Sequence, residues 1–307
     1  MFPDLLTLQT PFGVQALHTY GLLLILGFFA ATLVTGARMR QVGMNSDRLV
    51  PLMLIAIPSS ILGARLLHFL GSTDRADFLA APWILFDLTQ GGMAFLGGAI
   101  GGVISGSLYA KRAGLNVWKM ADVGAPSIML GLSIGRLGCF AAGCCHGTAC
   151  PAPVEGMITG DLFPGGQLVN VEGFPWVAMV FNKGVGVGSI IGAPVYPTQL
   201  WESLGALTLF GVLSLMWRYA RRFDGQILAA TMILYPPMRY TIETFRGDEL
   251  RGTNLLGMFS TSQLTGLIVL TISFGLIAWR WPKGLAPETP LTTSDLDPDL
   301  DPELLKR

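Results

Sequence analysis

Long runs of apolar residues dominate the chain, and polar residues gather in short segments between them. A membrane-spanning helix needs about 20 mostly apolar residues, and seven segments meet this requirement. The pattern therefore predicts an all-α membrane protein with about seven transmembrane helices. The predicted spans are residues 17–37, 49–70, 91–110, 120–140, 198–217, 225–245 and 261–279.

The composition supports this interpretation. Of the 307 residues, 51% are hydrophobic and 13% are charged, whereas an ordinary soluble domain has about 25% charged residues. So few charged residues cannot cover a soluble fold of this size. Disordered, collagen-like, coiled-coil and small disulfide-rich proteins are excluded on the same grounds. The formal net charge is zero, and nothing indicates a nucleic-acid partner.

The distribution of Lys and Arg predicts the orientation in the membrane. Thirteen of the 20 basic residues lie in the odd connections and the C-terminal tail, and four lie in the even connections. Because cytoplasmic loops are enriched in Lys and Arg, we expect the N-terminus outside and the C-terminus in the cytoplasm. Asp4 and no basic residue precede the first span, so we expect this span not to be a cleaved signal peptide.

Two segments differ from the spans. Residues 144–195 are rich in Gly and Pro, and we expect a small extracytoplasmic head between helices 4 and 5. The membrane domain is predicted to cover residues 1–281. Residues 282–307 are acidic, rich in Pro and without apolar periodicity, which predicts a disordered cytoplasmic tail. No internal repeat supports an inverted-repeat transporter.

A glycine-rich segment opens the third span, with the sequence GGMAFLGGAIGG at residues 91–102. Two interpretations remain open. The glycines allow close packing of two helices, or they form a non-helical segment that lines a cavity.

Polar side chains recur at one level of the membrane, near the predicted outer ends of the spans. In the sixth span, Tyr235, Arg239, Glu243 and Arg246 follow each other at helical spacing and share one face. A charge at the bilayer centre costs about 2.5–3.5 kcal/mol, so such residues are candidates for function. The other polar side chains predicted at this depth are Arg136, Gln199, Glu202 and Tyr20.

Several arginines near a lipid-facing opening suit a phosphate group, because the guanidinium fork matches phosphate oxygens. Local chemistry therefore predicts a site for an anionic lipid head group in the outer leaflet. The alternative is a set of structural ion pairs, such as Arg239 with Glu243. For Arg65 and His68 we expect snorkelling to the interface. For Asp122 we expect stabilisation of the start of its own helix.

Six segments of this chain, in order, resemble the prolipoprotein diacylglyceryl transferase family of bacterial inner membranes. Arg136 lies in the fourth segment and Arg239 opens the sixth. The resemblance extends over nearly the whole membrane region. The segments are HTYGLLLILGF, GARL, GGMAFLGGAIGG, MADVGAPSIMLGLSIGRLGCF, YPTQLWE and RYTIETFR.

The resemblance implies an enzyme. The family transfers the diacylglyceryl group of phosphatidylglycerol to the lipobox cysteine of a prolipoprotein signal peptide, which forms a thioether and releases glycerol phosphate. This is the first step of bacterial lipoprotein maturation. The implied partners are phosphatidylglycerol, prolipoproteins and membrane lipids. We expect no cofactor and no metal, because fixed cations can stabilise the charge that develops on the leaving phosphate.

The resemblance also implies roles for single residues. Arg136 is expected to hold the lipid phosphate, and Arg239 matches an arginine that the family requires. The catalytic set implied in this way is Arg239, Glu243, Arg136 and Tyr235. The substrate-binding set is Arg136, Arg246, Tyr20, Gln199, Glu202, Gly97 and Gly98.

The chain departs from the family where a histidine is proposed as the base, because Leu96 stands at that position. His146 and Glu243 are the alternative bases. A site that needs no base is a further alternative. The departure also motivates a second hypothesis, in which the protein binds phosphatidylglycerol or lipoproteins without turnover.

Four cysteines lie close together, at positions 139, 144, 145 and 150. Small packing residues, a disulfide on the oxidising outer side, a metal site and redox catalysis all remain open, although the spacing is not that of a usual zinc motif. The cluster motivates a third hypothesis, a membrane thiol–disulfide oxidoreductase.

Overall fold

Seven helices of 18 residues or more make up most of the described chain. The computed structural model describes residues 4–10, 13–71, 78, 81–86, 92–150, 154–157, 166–171, 177–181, 194–246 and 261–284. The helices are α1 (Thr19–Gln41), α2 (Leu49–Gly71), α3 (Phe95–Arg112), α4 (Val117–Ala142), α5 (Thr198–Tyr219), α6 (Gln226–Glu243) and α7 (Thr261–Arg280).

A helix lies at each of the seven predicted spans, so the mostly helical prediction is confirmed. In the described part of the chain, four helical segments are long and apolar enough to cross a bilayer: Thr19–Gln41, Ser46–Leu70, Val117–Ala142 and Thr198–Tyr219. Large apolar side chains are exposed along them, among them Phe29 and Leu54, as expected of a surface that faces lipid. The chain is therefore a multi-pass membrane protein, and seven spans in total stays a prediction.

Six strands accompany the helices within the residues that the structure describes. β1 (Asp4–Thr10) and β2 (Gly13–His18) form an antiparallel hairpin before α1, which the sequence pattern did not predict. The other four form an antiparallel sheet in chain order, and they lie within or next to the predicted head. They are β3 (Val154–Met157), β4 (Gly166–Val171), β5 (Val177–Phe181) and β6 (Pro194–Val195).

Parts of the predicted domain scheme lie outside the described residues. These parts are the segments between the strands of the head and residues 285–307 of the predicted tail. Arg75, Lys183 and Arg251, three of the basic residues used for the orientation, lie there as well. The extracytoplasmic head, the disordered tail and the orientation stay predictions.

The chain divides into two compact units. The first contains residues 1–35 and 121–286, and the second contains residues 36–120 and 287–307. In the first unit α4, α5 and α6 share an apolar core, to which Ala125, Met129, Leu213 and Ile227 contribute. A buried hydrogen bond of 3.1 Å between the hydroxyls of Ser133 and Ser203 joins α4 to α5.

Asp122 connects the starts of two helices in the first unit. Its carboxylate accepts hydrogen bonds from the backbone N–H groups of Gly225 (2.8 Å) and Leu228 (3.0 Å). Gly225 precedes α6 with φ +97°, a conformation that glycine adopts without strain. The expectation that Asp122 stabilises its own helix is wrong: the buried carboxylate caps α6, where the helix dipole favours a negative charge.

Glycines of α2 and α3 let the two helices of the second unit approach closely. A Cβ atom at Gly97 would lie 2.2 Å from the carbonyl oxygen of Gly63, and the Ser60 hydroxyl donates a 2.9 Å hydrogen bond to the carbonyl of Gly98. The packing interpretation is therefore confirmed for residues 97–102. Gly92–Ala94 precede α3 in a non-helical conformation, and the cavity-lining role of such a segment stays a prediction.

We expect Gly97→Ala to destabilise the second unit. The added Cβ meets backbone atoms that cannot rotate away, and overpacking of this kind costs about 1–3 kcal/mol. Gly106→Ala, in the same helix, is the matched control because a Cβ there meets nothing within 4 Å and Ala gains about 1 kcal/mol of helix propensity. Thermal unfolding in detergent measures both variants. Equal melting temperatures for the two variants would contradict the packing role.

Arg65 does not snorkel. Its side chain is fully buried in the second unit, and its guanidinium donates a 2.8 Å hydrogen bond to the carbonyl oxygen of Ile84 while lying over the ring of Phe69. A hydrogen bond to a backbone carbonyl and the face of an aromatic ring offset the cost of burying this cation. The expectation of an interfacial position for Arg65 is therefore wrong.

Candidate active site

One buried carboxylate in the first unit binds three arginines. Glu202, in the first turns of α5, has no exposed side-chain surface, and its Oε1 lies 2.9 Å from the guanidinium of Arg136. Its Oε2 lies 3.1 Å from Arg239 and 3.9 Å from Arg246. Residues from α4, α5, α6 and the segment after α6 therefore meet at a single carboxylate, a pairing that the sequence did not predict.

The cluster carries an excess of positive charge. Glu243, one turn after Arg239 in α6, forms a second short ion pair with it. Three guanidiniums and two carboxylates leave one formal positive charge in this group. The side chains of Arg136 and Arg239 keep 18% and 13% of their surface exposed, so a ligand can reach them. The ion-pair alternative explains how the arginines are held, and the remaining charge favours an anionic ligand.

Two tyrosines lie near these arginines. Tyr235 in α6 is within electrostatic range of Glu202, Arg239 and Arg136 and packs against the apolar core of the unit. Tyr20 in α1 packs against Gly138, where an added Cβ atom would lie 3.2 Å from the tyrosine ring. The hydroxyl of Tyr20 is close enough to Arg136 to interact electrostatically with its charge. The structure therefore places both predicted tyrosines beside the cluster.

Gln199 and Thr198 hold the loop that follows α4. The Gln199 side-chain amide donates a 2.8 Å hydrogen bond to the carbonyl of Cys144, and the Thr198 hydroxyl donates one of 3.1 Å to the carbonyl of Cys145. Gln199 was predicted to bind substrate. In the structure the Gln199 side chain contacts this loop, and substrate binding by Gln199 stays a prediction.

Backbone contacts fix the same loop to the end of α6. The N–H of Thr148 donates to the carbonyl of Phe245, and the N–H of Gly147 donates to the carbonyl of Tyr196. A Cβ at Gly147 would lie 2.6 Å from the Phe245 oxygen, so only glycine fits this approach. His146, one of the alternative bases, is buried with its Nδ1 2.9 Å from the Gly147 carbonyl.

Three of the four cysteines converge beside the arginines. The Sγ atoms of Cys139, Cys144 and Cys145 all lie within 4.8 Å of one another, and all four cysteines are free thiols. Hydrogen bonds from the Cys139 and Cys144 thiols, followed by the charges of Arg246 and Arg136, hold the pKa of Cys145 below its usual range. Cys145 also has a backbone φ of +62°, which is rare for a residue with a side chain.

We expect the reduced, metal-free protein to be alkylated at Cys145 faster than at Cys144. A lowered pKa leaves a larger fraction of Cys145 as thiolate than of an ordinary thiol, whose pKa is about 8.5, at any pH below that value. The pKa of Cys144 lies above its usual range because its thiol hydrogen-bonds Cys139 and Cys145. Peptide mass spectrometry after a short iodoacetamide pulse at several pH values measures both rates. Equal pH profiles for the two cysteines would contradict this assignment.

Sequence reasoning missed the proximity of this thiol cluster to the arginines. The signal was present in the motif GRLGC, where Arg136 and Cys139 lie one helical turn apart. The loop after α4 folds back and adds the other two thiols. Sequence alone does not specify this return, because it depends on Thr198, Gln199 and Phe245 at distant positions.

Three of the residues considered in the sequence lie in the second unit. Gly97 and Gly98, predicted to bind substrate, contact α2 as described above. Leu96, at the position of the family's histidine, is exposed. Substrate contacts of the two glycines stay predictions.

The fold and the cluster together define a class of protein. The chain is a multi-pass membrane protein in which three arginines gather around one buried carboxylate, close to a set of thiols. This combination suits an enzyme that handles an anionic lipid.

Comparison with known proteins identifies the family. The family model for prolipoprotein diacylglyceryl transferase matches residues 8–279. Similar proteins carry the name phosphatidylglycerol–prolipoprotein diacylglyceryl transferase. That of Clostridium tetani is 31% identical over 85% of this chain and 92% of its own length. That of Bacillus licheniformis is 32% identical over 89% and 91%, and that of Legionella pneumophila is 31% identical over 91% and 97%. The chain belongs to the prolipoprotein diacylglyceryl transferase family.

Proposed function

We propose that this protein transfers the diacylglyceryl group of phosphatidylglycerol to the lipobox cysteine of a prolipoprotein. The sulfur of the cysteine forms a bond to the glycerol carbon that carries the phosphate, and the carbon–oxygen bond to the phosphate breaks. The products are a thioether and glycerol phosphate. The named relatives and the family model support this reaction class.

One observation carries the proposal, namely the gathering of Arg136, Arg239 and Arg246 around the buried Glu202. When the carbon–oxygen bond breaks, a second negative charge develops on the phosphate. Fixed cations stabilise such a charge without reorganisation at the moment of reaction. The guanidinium geometry also matches phosphate oxygens in pairs. The cluster therefore supplies the electrostatics that the leaving group requires.

The proposed roles follow from exposure and pairing. Arg136 and Arg239 are partly exposed and bind the phosphate. Arg246 and Glu202 are almost fully buried and position them. Glu243 pairs with Arg239 and sets its orientation. Tyr235 and Tyr20 border the arginines and are placed to donate hydrogen bonds to the lipid head group.

The membrane surface supports a lipid substrate. Exposed apolar side chains cover the helices, so lipid tails can stay in the bilayer while the head group reaches the arginines. We propose that the site opens to the outer leaflet of the bacterial inner membrane, with the N-terminus outside. The excess of Lys and Arg in the odd connections supports this orientation.

The test uses the purified protein with phosphatidylglycerol vesicles and a lipobox peptide. We expect equal amounts of diacylglyceryl thioether, identified by mass spectrometry, and free glycerol phosphate. A peptide with Ser in place of the lipobox Cys is the matched control, because a hydroxyl is a far weaker nucleophile than a thiolate. Rescue of a strain depleted of its own diacylglyceryl transferase tests the same activity in cells.

Two outcomes would contradict the proposal. Binding of phosphatidylglycerol without either product would indicate the silent binder that Leu96 motivates. Thiol–disulfide exchange without lipid transfer would indicate the oxidoreductase that the cysteines motivate.

A further inference from the structure

Three thiols that the proposed chemistry has not yet used lie next to the phosphate-binding arginines. The Sγ atoms of Cys139, Cys144 and Cys145 lie within 4.8 Å of one another. In a tetrahedral zinc site with Zn–S bonds of 2.3 Å, the sulfurs lie about 3.8 Å apart. Side-chain rotations that move each sulfur by about 1 Å convert one arrangement into the other.

The loop that carries two of these thiols is held firmly in place. Its carbonyl groups at Cys144 and Cys145 accept hydrogen bonds from Gln199 and Thr198, and the N–H of Cys144 donates to the carbonyl of Cys139 at 3.1 Å. Cys145 adopts a left-handed conformation, which costs about 1–2 kcal/mol for a residue other than glycine. The surrounding contacts maintain this strained turn, and the turn brings the Cys145 sulfur to the other two.

The charges around the thiols favour an anionic metal complex. Three thiolates and one divalent cation carry a net charge of −1. Arg136 acts electrostatically on Cys139 and Cys145, and Arg246 acts on Cys145, so two cations stabilise this complex. A donor set of three thiolates without a carboxylate selects soft cations such as Zn²⁺ over Mg²⁺ or Ca²⁺.

We propose that Cys139, Cys144 and Cys145 bind Zn²⁺ and leave its fourth position open for the thiol of the acceptor peptide. This proposal rests on the proposed function, and it departs from the expectation that no metal is needed. Catalytic zinc sites keep three protein ligands and one open position. In this chain Leu96 replaces the histidine that is proposed as the base in the family. The proposed metal would therefore activate the acceptor thiol in place of that histidine.

The acceptor thiol binds the metal and loses its proton to water, because a coordinated thiol is deprotonated. The sulfur electron pair forms the bond to the glycerol carbon, and the electrons of the breaking carbon–oxygen bond leave with the phosphate, which Arg136 and Arg239 receive. The product thioether carries no negative charge, so it is a weaker ligand than the thiolate and leaves the metal.

Cadmium is the probe, because its bonds to thiolate sulfur give an ultraviolet charge-transfer band. We expect the reduced full-length protein in detergent to show this band at one equivalent of Cd²⁺. Cys139→Ser, Cys144→Ser and Cys145→Ser should each weaken cadmium binding by more than about 100-fold, since the loss of an outer-shell contact alone costs 10- to 100-fold. Circular dichroism of each variant must match the parent.

Cys150 provides the matched control. It is the fourth cysteine of the same unit and is buried, and its thiol interacts with the hydroxyl of Tyr196 instead of with the cluster. Cys150→Ser should leave the band unchanged. A band that survives the loss of any cluster cysteine, or that Cys150→Ser removes equally, would overturn the site. A disulfide between two of the three cluster cysteines in the protein as isolated would also overturn it.

The acceptor position has its own readout that does not depend on turnover. A lipobox peptide added to the cadmium-loaded protein should raise the band by about a third, as three Cd–S bonds become four, and the Ser peptide should not. No rise with the Cys peptide would overturn the open position.

The transferase assay separates this proposal from the function on which it rests. Full activity in the fully demetallated protein would overturn the role of the metal in activating the acceptor thiol and leave the proposed function intact. Absence of transfer under all conditions, with the cadmium band present, would instead overturn the proposed function, and with it the role of the site in transfer.

Discussion

Arg239→Ala is expected to lower the rate of diacylglyceryl transfer by about 10²- to 10³-fold, the typical loss when one donor to a developing anion is removed. Arg239 lies between Glu202 and Glu243 and is partly exposed, so it combines a fixed position with access to the lipid phosphate. The charge it stabilises grows during the reaction. The turnover number should therefore fall more than the affinity for phosphatidylglycerol.

Arg239→Lys separates charge from geometry. Lysine keeps the positive charge but not the planar fork that pairs with two oxygens, so its activity should lie between those of the parent and the Ala variant. Initial rates at saturating and limiting phosphatidylglycerol, together with melting temperatures, measure these effects. A change in lipid affinity alone, with unchanged turnover, would assign Arg239 to ground-state binding and contradict the proposed role.

Glu202→Gln is expected to destabilise the first unit by about 3–5 kcal/mol, because the loss of one partner leaves buried charges uncompensated. Three guanidiniums converge on this carboxylate, and without it they repel each other. Glu243→Gln is the matched comparison, since Glu243 is partly exposed and, among the described residues, forms an ion pair only with Arg239. Its loss of stability should be clearly smaller.

Glu202→Asp tests whether the carboxylate positions the arginines or only stabilises the fold. Aspartate keeps the negative charge, but its side chain is one methylene group shorter, so the carboxylate lies farther from the arginines. The Asp variant should therefore recover much of the stability, whereas the arginines should no longer be positioned to match the phosphate. Thermal unfolding and turnover of the folded fraction are measured together. If the folded Asp and Gln variants turn over as fast as the parent, Glu202 only stabilises the fold and does not position the arginines.

The helices were predictable because each is marked by an unbroken apolar run. All seven lie where the pattern placed them, and α5 begins at Thr198 as expected. The hairpin before α1 was missed although Pro11 and Gly13, residue types typical of turns, mark the point between its two strands. The cap that Asp122 provides to α6 was also missed, since it joins positions about 100 residues apart.

The candidate site was predictable to the level of membrane depth but not of pairing. Helical spacing placed Arg239 and Glu243 on one face, and the structure pairs them. The pattern could not show that Glu202 would serve Arg136, Arg239 and Arg246 together, because the choice of partner depends on how α4, α5 and α6 pack. The pattern also could not show that the three thiols lie together, because this depends on the loop after Ala142, which folds back beside Cys139.

The two buried carboxylates of the first unit fasten the same helices at opposite ends. Asp122 ties the start of α4 to the start of α6, and Glu202 ties their far ends through Arg136 and Arg239. α4 and α6 are held at both ends, so they cannot slide or splay without breaking a contact of one of these buried carboxylates. The two helices therefore form a stationary scaffold, and any motion that admits a lipid or releases a lipidated product must come from the elements around them.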